Sequence, residues 1–507
     1  MRVFTLLTRD KINVNKSMNE SKNQMLKMCL LVIFALLTCD TLRGQANDNA
    51  VDKRTDEQID KLFSGYHQTT PGVAVAVVKD GKIIFKKGYG MANLEYDLPI
   101  TSKSVFHVAS VSKQFTAFSI FLLEKQGKIS FEDDVRKYVP EVPNFGKTIR
   151  IKHLLAHTSG LKDQWALLTL AGWRLDDVIT TEHILKIIGR QKELNFEPGS
   201  QFLYSNSGYT LLAEIVARVS GQSFAAYTKK NIFEPLGMTD TQFYDDFGKI
   251  VRNRVYSYEL VGGTYQKKNL NYSNVGATGL FTTVEDLSKW ALNFENPIVG
   301  DAELIKRFNE PALLDDGQPA VYAVVDDETI YPAKGQFVRN YRGLNLYNHT
   351  GGDAGFRTYL ARFPDKKFSV IVLSNDYAFQ SLKSGLEVAE VYLKDDLKKK
   401  AVQPAVAVRQ NKNNAPVNFN PVLKDFEGEF ASEELPAVYS LKARDGKLIA
   451  SHGRLSDVEL VEVGKNKFSG KIWFAVELEF MRDKNDRVTG FKVSNFGAKN
   501  VNFNKVR

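Results

Sequence analysis

From Val73 to Val78 the chain is an unbroken run of Val and Ala. Lys79-Asp80-Gly81 then supplies turn chemistry, and Ile83-Ile84-Phe85 resumes the apolar pattern. Apolar, β-branched runs on either side of such a turn predict a hairpin over residues 71–90. The next pattern has a different period. Between residues 110 and 125, Val111, Phe115, Phe118, Ile120, Phe121, Leu122 and Leu123 leave almost no polar face, and Gly127 follows. A helix apolar on every side is a buried, central one. A second helix is predicted from about Tyr209 to Val219, stopping near Gly221. Much later, Thr358–Phe363, a Pro364-Asp365 turn and Phe368–Leu373 predict another hairpin. Strands, then helices and loops, then strands again imply an α+β fold, with an antiparallel sheet built from both ends of the domain, flanked by helices, and a helical region inserted between. Residues 396–418 lose apolar periodicity and read as a linker. Short alternating segments with turns at Asp445-Gly446 and Asp483-Lys484-Asn485 then predict a small all-β barrel over residues 419–507.

The extreme N-terminus carries an address. Lys22 and Lys27 precede an apolar run from Met28 to Leu37, and Gly44-Gln45-Ala46 offers small residues for cleavage. That order predicts a secretory signal peptide over residues 1–46, with Met25 its more natural start, and hence an exported protein, periplasmic or secreted. The apolar run is too short to remain as a spanning helix, so no transmembrane helix is expected in the mature chain. Both cysteines, Cys29 and Cys39, lie in this leader. The mature chain therefore has no thiol for disulfides, metal or catalysis. Leu36-Leu37-Thr38-Cys39 loosely resembles a lipoprotein signal, which makes a lipid anchor at Cys39 the alternative to plain cleavage.

Composition narrows the partners. The 507 residues are 43% hydrophobic and 25% charged, the balance of a globular protein with a large core. The net charge of +9 is partly the leader's: beyond residue 46 stand 61 basic and 56 acidic residues, a balance of +5. With no dense basic stripe interleaved with aromatics, nucleic acid is not an expected partner.

Three short motifs carry chemistry. In Ser110-Val111-Ser112-Lys113 the serine opens the most apolar helix, and a residue three positions on shares its face. A serine hydroxyl needs a base to become nucleophilic, and burial lowers a lysine's pKa until neutral amine is available. Ser159-Gly160-Leu161-Lys162 repeats the spacing without the buried-helix pattern, which favours Ser110. Tyr204-Ser205-Asn206 stands on a polar stretch before a helix. Its tyrosine can relay protons, and its amide can orient a substrate carbonyl. Tyr272-Ser273-Asn274 is a second copy without that following helix. His349-Thr350-Gly351-Gly352 has the glycines that let a strand approach a ligand closely. A backbone N–H from that strand, with that of Ser110, would make an oxyanion hole.

The three motifs in this order resemble the family of class C β-lactamases, D-Ala-D-Ala carboxypeptidases, D-aminopeptidases and related esterases. The similarity extends over roughly residues 55–395, with His153–Gly160 and Gly276-Ala277-Thr278-Gly279-Leu280 also resembling family segments. The resemblance implies a β-lactamase/transpeptidase-like fold, no cofactor, and an acyl-enzyme on Ser110 with Lys113 and Tyr204 exchanging protons. It implies that Asn206, His349, Thr350 and Gly351 contact substrate and that Gly352 joins Ser110 in the oxyanion hole. Many β-lactamases have Lys where this chain has His349. The expected substrate is therefore a peptide, amide or ester, cell-wall derived or otherwise small, rather than a β-lactam.

Rival readings are weaker. His153 and His157 are four apart, but Leu154 stands where a His-Glu-x-x-His metalloprotease needs its glutamate. His107 is expected to pack rather than act as base. Phe426, Phe430, Trp473 and Phe474 could line a ligand cup, though at strand spacing they are more often core. The alternative function is a catalytically inactive cell-wall or peptide sensor of the same fold.

Overall fold

The structure, a computed structural model, describes residues 54–399, 422–472 and 475–507. The expected signal peptide (1–46), Cys29 and Cys39 lie outside the described residues, as do most of the expected linker and Trp473-Phe474. Residues 54–62 are helical and belong to a small unit of their own; Phe63–Arg507 form the second compact unit. Among the described residues no helix is long and apolar enough to cross a membrane.

Eight strands form the main sheet: β1 (Val73–Lys79), β2 (Lys82–Tyr89), β3 (Ala323–Val325), β4 (Glu328–Ala333), β5 (Gln336–Tyr341), β6 (Leu344–Asp353), β7 (Phe356–Phe363) and β8 (Phe368–Ser374). Their order is β3-β4-β5-β6-β7-β8-β1-β2, every neighbour antiparallel. N-terminal and C-terminal segments of the domain thus meet at the β1–β8 pair, with the helical region between them in sequence. The β1–β2 turn is made by Asp80 and Gly81, both at positive φ, the backbone that suits the right-handed twist of a two-residue hairpin.

The central helix α1 (Ser112–Lys125) is buried along almost its entire length. Its Phe115 and Phe118 rings lie 4.4 and 5.0 Å from Trp290, and Trp290 Nε1 donates to Gln114 Oε1 at 2.9 Å. Each fully buried phenylalanine contributes roughly 1.5–3 kcal/mol of transfer free energy. Packing therefore holds this helix more than propensity does, since Phe, Ile, Ser and Thr are middling helix formers. The helix α2 (Gln164–Leu170) starts at Asp163, whose side chain caps Trp165 N and Ala166 N. The helix α3 (Asn206–Ser220) ends at Gly221 in the left-handed region, as the sequence pattern predicts.

Residues 428–505 make a closed eight-stranded barrel, each strand antiparallel to the next, and Gly428–Ala431 closes against Val501–Lys505. Phe426, Phe430, Phe468, Phe480, Phe491 and Phe503 are buried in it. The remaining cavity is about 30 Å³, room for a water or two and far below a ligand pocket of roughly 300 Å³ or more. The described part of the proposed aromatic cup is core.

Candidate active site

The turn before α1 has an uncommon backbone. Ala109 has φ +46°, a left-handed conformation that a residue with a Cβ rarely adopts. Ala109–Val111 form a 3-10 turn that runs into α1, so Ser110 sits just before the α-helix proper, not on its first turn as the sequence pattern suggested. Ser110 is half-buried, while Lys113 is fully buried one turn later.

Lys113 Nζ reaches three acceptors: Ser110 Oγ at 3.1 Å, Asn206 Oδ1 at 2.8 Å and the Ala277 carbonyl at 2.6 Å. Burial lowers its pKa from 10.5 to about 7, and the Asp353 and Asp163 carboxylates oppose that fall only in part. Near neutral pH a substantial fraction is thus free amine, poised against the serine hydroxyl. The Tyr204 ring lies over this amine, 5.0 Å from Nζ to centroid. Burial raises the Tyr204 pKa well above 10, with the Ser110 hydroxyl pulling the other way; its OH nonetheless makes no hydrogen bond of good geometry. His157 stacks behind Tyr204 at 4.4 Å, with its Nδ1 against the Ser205 peptide.

Asn206, at the start of α3, is held at both ends. Its Nδ2 donates to Asp163 Oδ2 at 2.8 Å, and its Oδ1 accepts from Lys113. Its backbone N–H donates to the same Asp163 oxygen at 2.6 Å.

The third side of the cleft is β6. Its pairing with β5 ends at Phe337–Asn348, so His349 to Asp353 extend past that partner. A Cβ on Gly351 would lie 2.3 Å from both the Val108 carbonyl and Thr358 Oγ1. Only a glycine lets β6 come this close to the Ala109–Val111 turn. The Thr350 side is exposed, and His349 is buried against Phe337 and Tyr204. His349 Nδ1–H donates to the Thr350 carbonyl. Burial, and then the neighbouring Lys113, push its pKa down to about 3.

The structure therefore brings Ser110, Lys113, Tyr204, Asn206 and His349 together. The second copies lie elsewhere in function. Lys162 is spent on a buried ion pair with Glu434 of the barrel, and Tyr272 packs on Trp165. His153 bonds to Asp315 and His157 to the Ser205 peptide, so the two histidines serve different partners. Among the described residues no group of three or more His, Cys, Asp or Glu is placed to hold a metal.

Sequence reasoning missed several contributors. The Ala277 carbonyl carries no residue signature, although Gly276–Leu280 stood out. Asp163 has no local signal at all, and His157 stood out only within the His153–Gly160 segment and as half of a possible metal pair, not as the ring behind Tyr204. His107 does pack, between Phe281 and Phe356, but its Nε2 also lies 2.9 Å from Asp353 Oδ2 and 3.0 Å from Thr278 Oγ1. This cluster ties the segment carrying Ala277 to the end of β6, and so braces two walls of the cleft.

Residues 51–390 match the family described as Beta-lactamase. A penicillin-binding protein of Bacillus subtilis (strain 168) is 31% identical over 320 residues, 59% of this chain and 67% of that one. A D-aminopeptidase of Gluconobacter oxydans (strain 621H) is 27% identical over 306 residues, 60% of this chain and 56% of its own. This chain thus spans only about half to two thirds of the length of these relatives. The octameric penicillin-binding protein homologue from Pyrococcus abyssi superposes with a TM-score of 0.59 at 22% identity, over 90% of this chain and 99% of that one. Because the match runs through the whole body that frames the cleft rather than through the motifs alone, the chain belongs to the beta-lactamase family of serine hydrolases, with penicillin-binding-protein and D-aminopeptidase relatives.

Proposed function

We propose that this protein is an exported serine hydrolase that works through an acyl-enzyme on Ser110 and cleaves a peptide, amide or ester bond. The observation that carries the reading is a fully buried Lys113 amine, with its pKa lowered to about 7, 3.1 Å from Ser110 Oγ. In the first step Ser110 Oγ attacks the substrate carbonyl carbon and its proton passes to the Lys113 amine. The oxyanion so formed is held by the N–H groups of Ser110 and Gly352, each such donor being worth about 3 kcal/mol. Collapse breaks the bond to the leaving amine or alcohol, which takes a proton delivered through Tyr204 from Lys113. Water then attacks the acyl-enzyme, returning the proton to Ser110 and releasing the acid. Asn206 keeps one amide hydrogen for the substrate carbonyl beyond the one given to Asp163, and His349, Thr350 and Gly351 line the strand along which the substrate lies.

The D-aminopeptidase relative supports a D-amino-acid peptide or amide as substrate, small or cell-wall derived. The same proposal takes residues 1–46 as an export signal, with the protein periplasmic or secreted. Lipidation of Cys39 is the variant fate, which the mass of the mature N-terminal peptide distinguishes.

Intact mass spectrometry tests the core of the proposal. The protein is incubated in parallel with a fluorophosphonate, a penicillin and a short acyl ester, beside Ser110→Ala. A stable adduct on the wild-type chain that vanishes in Ser110→Ala is the expected result. No adduct with any reagent overturns the reading in favour of an inactive binding or sensor protein.

A further inference from the structure

The barrel is not loosely attached to the hydrolase body; both belong to one compact unit. Lys162 Nζ donates to Glu434 Oε2 at 2.9 Å, and both side chains are buried. Asp163 N donates to the Gly497 carbonyl at 2.8 Å, and Asn195 Nδ2 donates to that same oxygen at 3.0 Å. Asn195 Oδ1 in turn accepts from Lys499 N at 2.9 Å. A domain that merely travels with its neighbour needs no buried charge pair, because burying one costs desolvation that only close pairing offsets.

Through the Gly497 carbonyl these contacts reach Asp163, which is also the anchor of Asn206. An asparagine amide can turn over, but here only one orientation makes both of its bonds: Nδ2 to the Asp163 carboxylate and Oδ1 to the Lys113 amine. Reversed, the amide would set its oxygen against a carboxylate and its N–H₂ against the amine. Asp163 thus fixes which end of Asn206 faces Lys113. Gly497 fixes Asp163 in turn: a Cβ at residue 497 would lie 2.6 Å from Asp163 Cβ.

We propose that the C-terminal barrel is a positioning domain for the hydrolytic site, whose Asn495–Ala498 loop sets Asp163 and, through Asn206, the lysine beside the nucleophile. This rests on the reading of Ser110 and Lys113 as the reacting pair. Asp163 is a positioning residue, three hydrogen bonds from Ser110 by way of Asn206 and Lys113, and the barrel loop acts one step further out.

The test uses the full chain and follows acylation of Ser110 by a fluorophosphonate across the neutral pH range. Gly497→Ala wedges the loop away from Asp163, and Asn195→Ala removes the outer clamp without adding bulk. Gly453→Ala, at a barrel turn with open space around it, is the control. The expected result is acylation slower by about tenfold or more in Gly497→Ala, in line with the sensitivity of catalysis to small misplacements. The midpoint of its pH profile moves upward as water reaches Lys113 and relieves the burial that lowers its pKa. Asn195→Ala shifts both in the same direction by less, and Gly453→Ala matches the wild type. A rate loss with an unmoved midpoint, or wild-type behaviour in both variants, overturns the proposal. If Gly497→Ala fails a thermal-melting check, Asn195→Ala decides by itself. No labelling of the wild-type chain overturns the hydrolase reading instead, and is recognised before any variant is compared.

Discussion

Lys113 decides the pH behaviour of this protein. An unperturbed lysine has roughly one neutral molecule in three thousand at pH 7, whereas one whose pKa is about 7 has close to half. On the proposed mechanism the base is the deprotonated form, so activity is expected to be lost below the folded pKa. Acylation of Ser110 is expected to climb as pH rises through about 7 and then level off, in a stopped-flow or mass-spectrometric rate profile; a climb beginning only near 10 would remove Lys113 as the base. The same shift carries a stability signature. Between the folded pKa of about 7 and the unfolded 10.5 the unfolded chain binds the extra proton, so this residue's contribution to stability improves as pH rises through that window. His349 works in the opposite sense for specificity. With its pKa pushed to about 3 it carries no charge at physiological pH, and offers nothing ionic to the carboxylate of a penicillin. Turnover of neutral amide or ester substrates is therefore expected to exceed that of penicillins in kcat/KM by orders of magnitude. Comparable values for the two would show that another group supplies the charge.

At the scale of elements, the site depends on how closely β6 passes the Ala109–Val111 turn. Gly351 backs onto the Val108 carbonyl, while the nearest atom to a Cβ on Gly352 is Arg357 Nη1 at 3.6 Å. Gly351→Ala must push strand and turn apart, and Gly352→Ala need not. Equilibrium unfolding in denaturant is expected to show a loss of about 1–3 kcal/mol for the first, the usual range for overpacking, and little change for the second. Equal effects would mean that the strand is free to shift. The hairpins were legible because turn chemistry flanked by β-branched runs is local information, and α1 because a helix apolar all round has only one place to go. The 3-10 turn at Ser110 was not legible, since the Ala109 backbone is imposed by what packs around it.

Across the whole molecule, the barrel and the hydrolase body are joined by a charge pair sealed from water. Glu434→Gln leaves Lys162 as an uncompensated buried cation, which typically costs about 3–5 kcal/mol. Denaturant unfolding is expected to show that loss, and replacing both partners by apolar residues of similar size should recover most of it. The exposed Lys186–Glu182 pair is the contrast: breaking it is expected to change nothing measurable, because water and salt screen it. A Glu434→Gln variant as stable as the wild type would mean that the interface is hydrated.

The sequence by itself determined the elements and the motif residues: hairpins from period-two runs around turns, a buried helix from its all-round apolarity, and Ser110, Lys113, Tyr204, Asn206 and His349 from chemistry set on suitable elements. Those are properties of neighbours along the chain. What only the tertiary structure decided is how the groups are held and tuned. The lowered pKa of Lys113 comes from burial by distant segments, and its Ala277 contact is a backbone carbonyl that any residue could provide. Asp163 meets Asn206 across 43 residues of chain, and the barrel loop meets Asp163 at Gly497 from the far end of the sequence. The rival Ser159–Lys162 spacing lacks a buried-helix pattern in the sequence, but only the fold shows that its lysine faces Glu434. Desolvation and long-range pairing depend on which surfaces close over a group, and that is fixed by the packed chain as a whole.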